Sequence, residues 1–264
     1  MFFYCVKHQW PLNSLRINII PCSRVNSIFQ YFYYTSLNSY GLKKYKGTSS
    51  HEWLTRQMKD PYVEKAKMMN YRCRSAFKLL EMNEKYNFLY PGQHVVECGA
   101  APGSWTQVLV KETNSSGRDP EKPVGKVISV DKLPIYHVEG AHIFGGLDFT
   151  STSFHNSVLK LIGKNKLDAV VSDMAPNATG VKLLDQEAIS ILAYSVLKFA
   201  IKMSKVNNRT VCLIKVWEGG RMKKLESDMC QFYERVSVVK PNASRSNSAE
   251  TFLLGIGFRG IKAG

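Results

Sequence analysis

The segment Val95–Trp105, VVECGAAPGSW, places an acid near the end of a short apolar run, then Gly99, then Pro102-Gly103 and a helix start. Glycine lets the backbone approach a ligand closely. In doubly wound sheets, ligands bind outside the carboxyl ends of the strands, near the point where the strand order reverses. A dinucleotide cradle needs G-x-G-x-x-G. Only Gly99 and Gly103 stand here, with Pro102 beside the second, so a nicotinamide-dependent oxidoreductase is disfavoured. Three further acids close successive β-type runs: Asp131 after KVISV, Asp148 after IFGGL, and Asp173 after LDAVVS. A carboxylate at the second strand end can accept both hydroxyl protons of a ribose, and one after the third can face an adenine amino group. Acids at several strand ends around one glycine loop point to a site rather than to idle loop residues.

Lys215 lies inside the apolar run VCLIKVW. Lysine is rarely fully buried unless paired, so it either reaches out from a strand end or serves a function. A cationic neighbour such as Lys78 would lower its pKa and free a neutral amine, while Asp173 and Glu250 would raise it and fix its orientation. A lysine so poised can take a proton from a hydroxyl. A structural ion pair and a catalytic base both remain open on the residues alone.

The elements that must position these groups follow from periodicity. Ser75–Tyr86 carries Phe77, Leu79, Leu80, Met82 and Tyr86 at helical spacing. Strands are expected at His94–Cys98, Lys126–Val130, Ile143–Leu147 (the weakest), Leu167–Ser172 and Thr210–Trp217. Helices are expected at Ser104–Lys111, from after the third strand to Ile162, at Asp185–Lys205 and at Arg221–Tyr233. The last two strands, Val236–Val239 and Thr251–Phe258, leave no room for a crossover helix and should be antiparallel. Lys111–Gly125, rich in Asn, Ser, Gly and Pro, reads as an exposed loop insertion. Alternating strands and helices predict an α/β fold, a mostly parallel doubly wound sheet with an antiparallel terminal pair.

Charge sets the class of partner. The 264 residues hold 36 Lys plus Arg against 21 Asp plus Glu, a net +15, which favours a polyanion or an anionic membrane surface. Residues 1–50 contain no acid and six bases, Lys7, Arg16, Arg24, Lys43, Lys44 and Lys46. An acid-free, Ser-containing leader of this kind suits a mitochondrial transit peptide, with a basic nucleic-acid-binding tail as the other reading. Without it, 30 bases face 21 acids, so the body keeps +9. Residues 51–87 form a basic N-terminal part in which Arg56, Lys59, Lys65, Lys67, Arg72 and Arg74 interleave with Trp53, Tyr62 and Tyr71. That mixture suits phosphate contact plus stacking on unpaired bases, and Arg235, Lys240 and Arg245 could extend the surface. The six cysteines show no Cys-x-x-Cys pair and indicate neither zinc nor a disulfide framework. No run approaches the length of a membrane-spanning helix.

Taken together, these residues resemble the FtsJ/RrmJ-type RNA ribose 2′-O-methyltransferases, from about Asp60 to Phe258. The resemblance implies a Rossmann-like, seven-stranded fold over residues 51–264 that binds S-adenosyl-L-methionine. It implies a catalytic tetrad of Lys78 in YRCRSAFKLLE, Asp173 in SDMAPN, Lys215 in LIKVW and Glu250 in SRSNSAETFLLG. It implies donor contacts at Gly99, Pro102, Gly103, Ser104, Trp105, Asp131, Asp148 and Asp173, with Ser104 standing where many relatives have a second glycine. No metal is implied. DPYVEKAK and the insertion before GKVISVDKLPI resemble the mitochondrial large-subunit rRNA branch of the family. That branch implies a uridine in mitochondrial rRNA as target, a role in ribosome biogenesis in the matrix, and a monomer acting on rRNA free or within a pre-ribosomal particle. An assembly or RNA-binding factor of the same fold, with methylation secondary or lost, is the alternative.

Overall fold

The computed structural model describes residues 60–261, apart from 178, 246 and 247. The leader, with Trp53, Arg56 and Lys59, lies outside the described residues. The described chain opens with α1 (Pro61–Met68), where Pro61 fills the first turn and the Asp60 side chain accepts Tyr62 N–H at 3.1 Å. α2 (Ala76–Tyr86) follows and ends at Asn87 in the left-handed region. Then come β1 (His94–Cys98), α3 (Ser104–Thr113), β2 (Lys126–Asp131), β3 (Ala141–Gly145), α4 (Thr152–Ile162), β4 (Ala169–Ser172), α5 (Lys182–Met203), β5 (Asn207–Trp217), α6 (Gly220–Cys230), β6 (Tyr233–Val239) and β7 (Glu250–Phe258).

The strands form one sheet in the order β3-β2-β1-β4-β5-β7-β6. The first five are parallel, and β7 inserts between β5 and β6, antiparallel to both. Successive residues of a strand face opposite sides, and both sides are covered. Val96, Ile128 and Val170 pack beneath Phe154 and Val158 of α4 and Val196 and Phe199 of α5. Val95, Val127 and Val171 pack beneath Leu79 and Met82 of α2 and Trp105 and Leu109 of α3. Each such side chain contributes roughly 1.5–3 kcal/mol when buried. No helix among the described residues is long and apolar enough to cross a membrane.

The expected elements are all present, with shifted ends. β3 sits two residues earlier than the periodicity predicts, at a half-exposed edge where the apolar pattern is weak. β4 is shorter than LDAVVS suggests, because Leu167 leaves the ladder to make an isolated bridge to Ser204. α1 was not visible as a helix, since its short, charge-rich sequence buries only Ala66.

A lysine–carboxylate chain at the strand ends

The strand order reverses at β1, which pairs with β2 on one side and β4 on the other. This switch point opens a crevice beyond the carboxyl ends of β1 and β4. Register fills it. Pairing of Cys98 with Ser172 sets Gly99 beside Asp173, whose backbone N–H donates to Cys98 O at 3.1 Å. Pairing of Ser172 with Ile214 brings Lys215 next to Asp173. Trp217 pairs with Glu250 across the antiparallel β5–β7 ladder, so Lys215 and Glu250 are diagonal neighbours on one face. Lys78, in the first turn of α2, reaches the same point from above the sheet.

The four predicted residues form one continuous chain. Lys215 Nζ lies 3.1 Å from Asp173 Oδ1 and 2.9 Å from Glu250 Oε2, and Lys78 Nζ lies 2.5 Å from Glu250 Oε1. Side-chain exposure is 17% at most along this chain, so water screens these charges weakly. Burial raises the Glu250 carboxyl, but the ammonium groups of Lys215 and Lys78 overcome it and hold the pKa at about 2. Burial pushes Lys215 down, yet Asp173 and Glu250 outweigh it and the ammonium rests above its ordinary value. Of the two influences expected on this lysine, the carboxylates dominate in the protein alone.

Two serines complete the arrangement, and sequence reading missed both. Ser75 Oγ donates to Asp173 Oδ2 at 2.7 Å, and Ser244 Oγ donates to Glu250 Oε1 at 2.8 Å. Ser75 just precedes the helix that carries Lys78, a proximity visible in sequence only once Asp173 is known to be opposite. Beside the chain lies a cavity of about 260 Å³ lined by Cys73, Arg74, Ser75, Lys78, Arg245 and Glu250, among others.

The glycine loop approaches from β1. Gly99 has φ +81°, and a Cβ there would stand 2.8 Å from the backbone nitrogen of Met174, so only glycine allows this contact between the loop and the segment after β4. Gly103 has φ +105°, and a Cβ would collide with the Arg72 guanidinium. Asp131 accepts Ala101 N–H and Leu133 N–H, each at 2.8 Å, and so ties the loop to the end of β2. Asp148 pairs with Lys132 at 2.9 Å and accepts from Thr150, which hold its carboxyl at about 2. The predicted donor residues divide at this point. Gly99, Pro102, Gly103, Asp131, Asp148 and Asp173 border the crevice. Ser104 and Trp105 are buried beneath it. Trp105 Nε1–H donates to Ser75 O at 2.8 Å while its ring packs on Phe252, and Ser104 Oγ accepts from Cys73 Sγ at 3.0 Å. Their contribution is to hold the loop, because their polar atoms are spent inward. Carboxylates at the ends of β2 and β3 beside a backbone that only glycine permits fit a nucleoside-bearing donor.

The basic N-terminal part differs from expectation. Arg72 donates to Pro102 O (2.8 Å), Tyr136 O (2.8 Å) and His137 O (2.7 Å), strapping the glycine loop to the segment after β2. Arg74 is held by Asp60 and Ala243 O. Tyr62 and Tyr71 pack on Phe77 with centroids 5.6 and 5.8 Å away, and Tyr62 O–H donates to Glu81. These two arginines and two tyrosines are therefore structural. Their guanidinium and ring faces are already occupied, which corrects their assignment to phosphate contact and base stacking. Lys240 is likewise engaged by Glu218 and Ser248 O, whereas Arg245 stays one-third exposed at the cavity edge.

Comparison with known proteins agrees with this geometry. A family model described as FtsJ-like methyltransferase matches residues 71–258. The chain is 56% identical over 217 residues to a Drosophila melanogaster protein named rRNA methyltransferase 2, mitochondrial, covering 82% of this chain and 86% of that one. It is 41% identical over 212 residues to ribosomal RNA large subunit methyltransferase E of Ruegeria pomeroyi, covering 80% and 89%. A solved Plasmodium falciparum chain, described as a candidate ribosomal RNA methyltransferase, superposes with TM-score 0.63 at 23% identity. It covers 72% of this chain and 100% of its own length, a likeness of fold.

Proposed function

Because the chain belongs to the FtsJ-like methyltransferase family, we propose that it transfers a methyl group from S-adenosyl-L-methionine to a ribose 2′-hydroxyl of mitochondrial large-subunit rRNA. The target is a uridine, and the enzyme acts in the matrix as a monomer during large-subunit biogenesis, on rRNA free or within a pre-ribosomal particle. Residues 1–50 serve as the targeting leader, and residues 51–264 do the work. The name carried by the Drosophila relative supports the compartment, and those of both curated relatives support the rRNA substrate.

The observation that carries this reading is the shielded Lys78–Glu250–Lys215–Asp173 chain at the switch point. When bound, the donor supplies an electrophilic methyl carbon on a sulfonium, whose positive charge favours loss of a proton from Lys215. Asp131 and Asp148 bind the nucleoside, and the backbone from Gly99 to Gly103 shapes the pocket for the methionine part. The cavity lined by Lys78, Glu250, Arg245 and their neighbours receives the acceptor nucleotide. Lys215 takes the proton of the 2′-hydroxyl. Asp173 and Glu250 keep its nitrogen aimed at that oxygen, and Ser75 and Ser244 keep the two carboxylates aimed at Lys215. Lys78 neutralises Glu250 and positions the ribose. The rate derives from alignment and fixed charges. An intact chain of this kind is needless in a pure assembly factor.

Replacing Lys215 by alanine should lower methyl transfer to rRNA by about 10²–10⁴-fold, the usual worth of a positioned base, with donor affinity by calorimetry retained. Transfer at the wild-type rate would overturn the mechanism. Loss of one 2′-O-methyl site from mitochondrial rRNA in cells lacking the protein would name the target.

A further inference from the structure

At the pole opposite the catalytic chain, where the parallel strands begin, six lysines gather around two connections. Lys160 lies in the last turn of α4, Lys164 and Lys166 lie between α4 and β4, Lys198 and Lys202 on α5, and Lys205 between α5 and β5. All six are exposed. The connections are clamped together: Leu167 N–H donates to Met203 O at 3.0 Å, Lys205 N–H to Leu167 O at 2.8 Å, and Lys166 Nζ to Lys202 O at 3.0 Å. α4 and α5 pack side by side through Phe154 and Phe199, so their carboxyl ends present the lysines on one surface. The cluster reaches inward as well. Burial lowers His94, and Lys126 and Lys205 press it further down against the pull of Asp168.

None of the six makes an ion pair with a carboxylate among the described residues. Helix C-termini favour cations by about 0.3–1 kcal/mol each, which accounts for one lysine in each last turn. It does not account for six. Lys198 and Lys202, four apart on one helix, repel by a few tenths of a kcal/mol. A surface that concentrates like charge at a cost to folding is built for an opposite charge from outside.

We infer that this basal surface is a second RNA-binding site, which grips the phosphate backbone of a folded rRNA segment remote from the target nucleotide. The inference rests on the RNA substrate proposed above. From Arg209 to Lys215, β5 rises about 20 Å, so the basal lysines contact backbone that the acceptor cavity does not hold. Lysines on two helix ends and two loops, without exposed aromatics among them, suit phosphates of a duplex rather than unstacked bases. The enzyme thus prefers large, structured rRNA to a short strand carrying the same target. Such a footprint also replaces what the internally engaged Arg72 and Arg74 leave unsupplied.

The test neutralises four lysines whose ammonium groups make no internal contact, as K164Q/K198Q/K202Q/K205Q, in the full chain. Binding of a 20-base-pair RNA duplex of arbitrary sequence is followed by fluorescence anisotropy between 50 and 200 mM salt. Each lost phosphate contact removes about 0.9 from the slope of log affinity against log salt. The variant should lose about 3 from that slope and bind at least about tenfold more weakly at 100 mM salt. Its donor affinity by calorimetry should be unchanged, which shows an intact fold. An unchanged slope overturns the inference. So does loss of binding to vesicles of phosphatidylcholine and cardiolipin with the RNA slope intact, which would make the surface a membrane contact. If wild-type protein shows the patch-dependent slope yet methylates no rRNA, the basal contact stands and the methyl-transfer reading falls.

Discussion

Replacing Glu250 by glutamine removes one charge from the middle of the catalytic chain while keeping the size of the side chain. Glu250 lies 2.5 Å from Lys78 and 2.9 Å from Lys215 with 9% of its side chain exposed. Burial opposes its ionisation, but Lys215 and Lys78 carry its pKa from the ordinary 4.5 to about 2. At 1.36 kcal/mol per pKa unit, the ionised carboxylate contributes about 3 kcal/mol to folding at neutral pH. The folded value lies below the unfolded one. The contribution is therefore present above about pH 4.5 and is lost as the pH falls from there through about 2. Denaturant unfolding of wild type and E250Q should differ by about 3 kcal/mol at pH 7, and by less than about half of that at pH 3. A gap independent of pH would refute the electrostatic origin of the stability. The substitution also removes one of the two acids that hold Lys215 protonated. In single-turnover methyl transfer, the limb over which the rate rises with pH should move to lower pH. A limb that stays in place would refute the role of Glu250 in tuning the base.

Two further outcomes follow from residues outside the tetrad. R72A removes three donated hydrogen bonds that strap the glycine loop. It should weaken donor binding about tenfold by calorimetry and cost about 2–3 kcal/mol in denaturant unfolding, while changing the RNA salt slope by less than about 1. Glu97 is buried at the end of β1 and accepts from Thr106 and Ser129 hydroxyls at 2.6 Å each, but burial prevails and lifts its pKa to about 7. Its folded value lies above the unfolded one, so stability present below about pH 4.5 is lost as the pH rises to about 7. Measured by denaturant midpoint, wild type should lose about 3 kcal/mol relative to E97Q between pH 4.5 and pH 8, and a constant difference would contradict it.

The sheet was legible because its strands announce themselves. HVVEC and AVVS are apolar on both faces and bounded by turns, as strands covered on both sides must be. Edges were harder to place: β3 faces solvent on part of its surface, so its pattern does not fix where pairing begins. The four tetrad residues were legible as types in motifs, since a lysine inside VCLIKVW and acids at strand ends break the apolar pattern without structural need. Their supports were not. Nothing about Ser75 or Ser244 in sequence distinguishes a carboxylate anchor from an ordinary hydroxyl. Arg72, Arg74, Tyr62 and Tyr71 misled, because a basic, aromatic stretch reads the same whether its groups face nucleic acid or neighbouring backbone carbonyls.

By itself, then, the sequence determined the alternation of strands and helices, the glycine loop, the acids at strand ends and an excess of basic charge, because these depend on local period and residue type. Only the tertiary structure decided which charges meet. Strand register set Glu250 diagonally from Lys215 across a ladder, and helix packing brought Lys78 to the same carboxylate. Folding also sorted the positive charge, spending Arg72 and Arg74 inside the molecule and leaving six lysines gathered at the far pole. Coulomb energy depends on distance and burial, and residues far apart in the chain acquire both only when it folds.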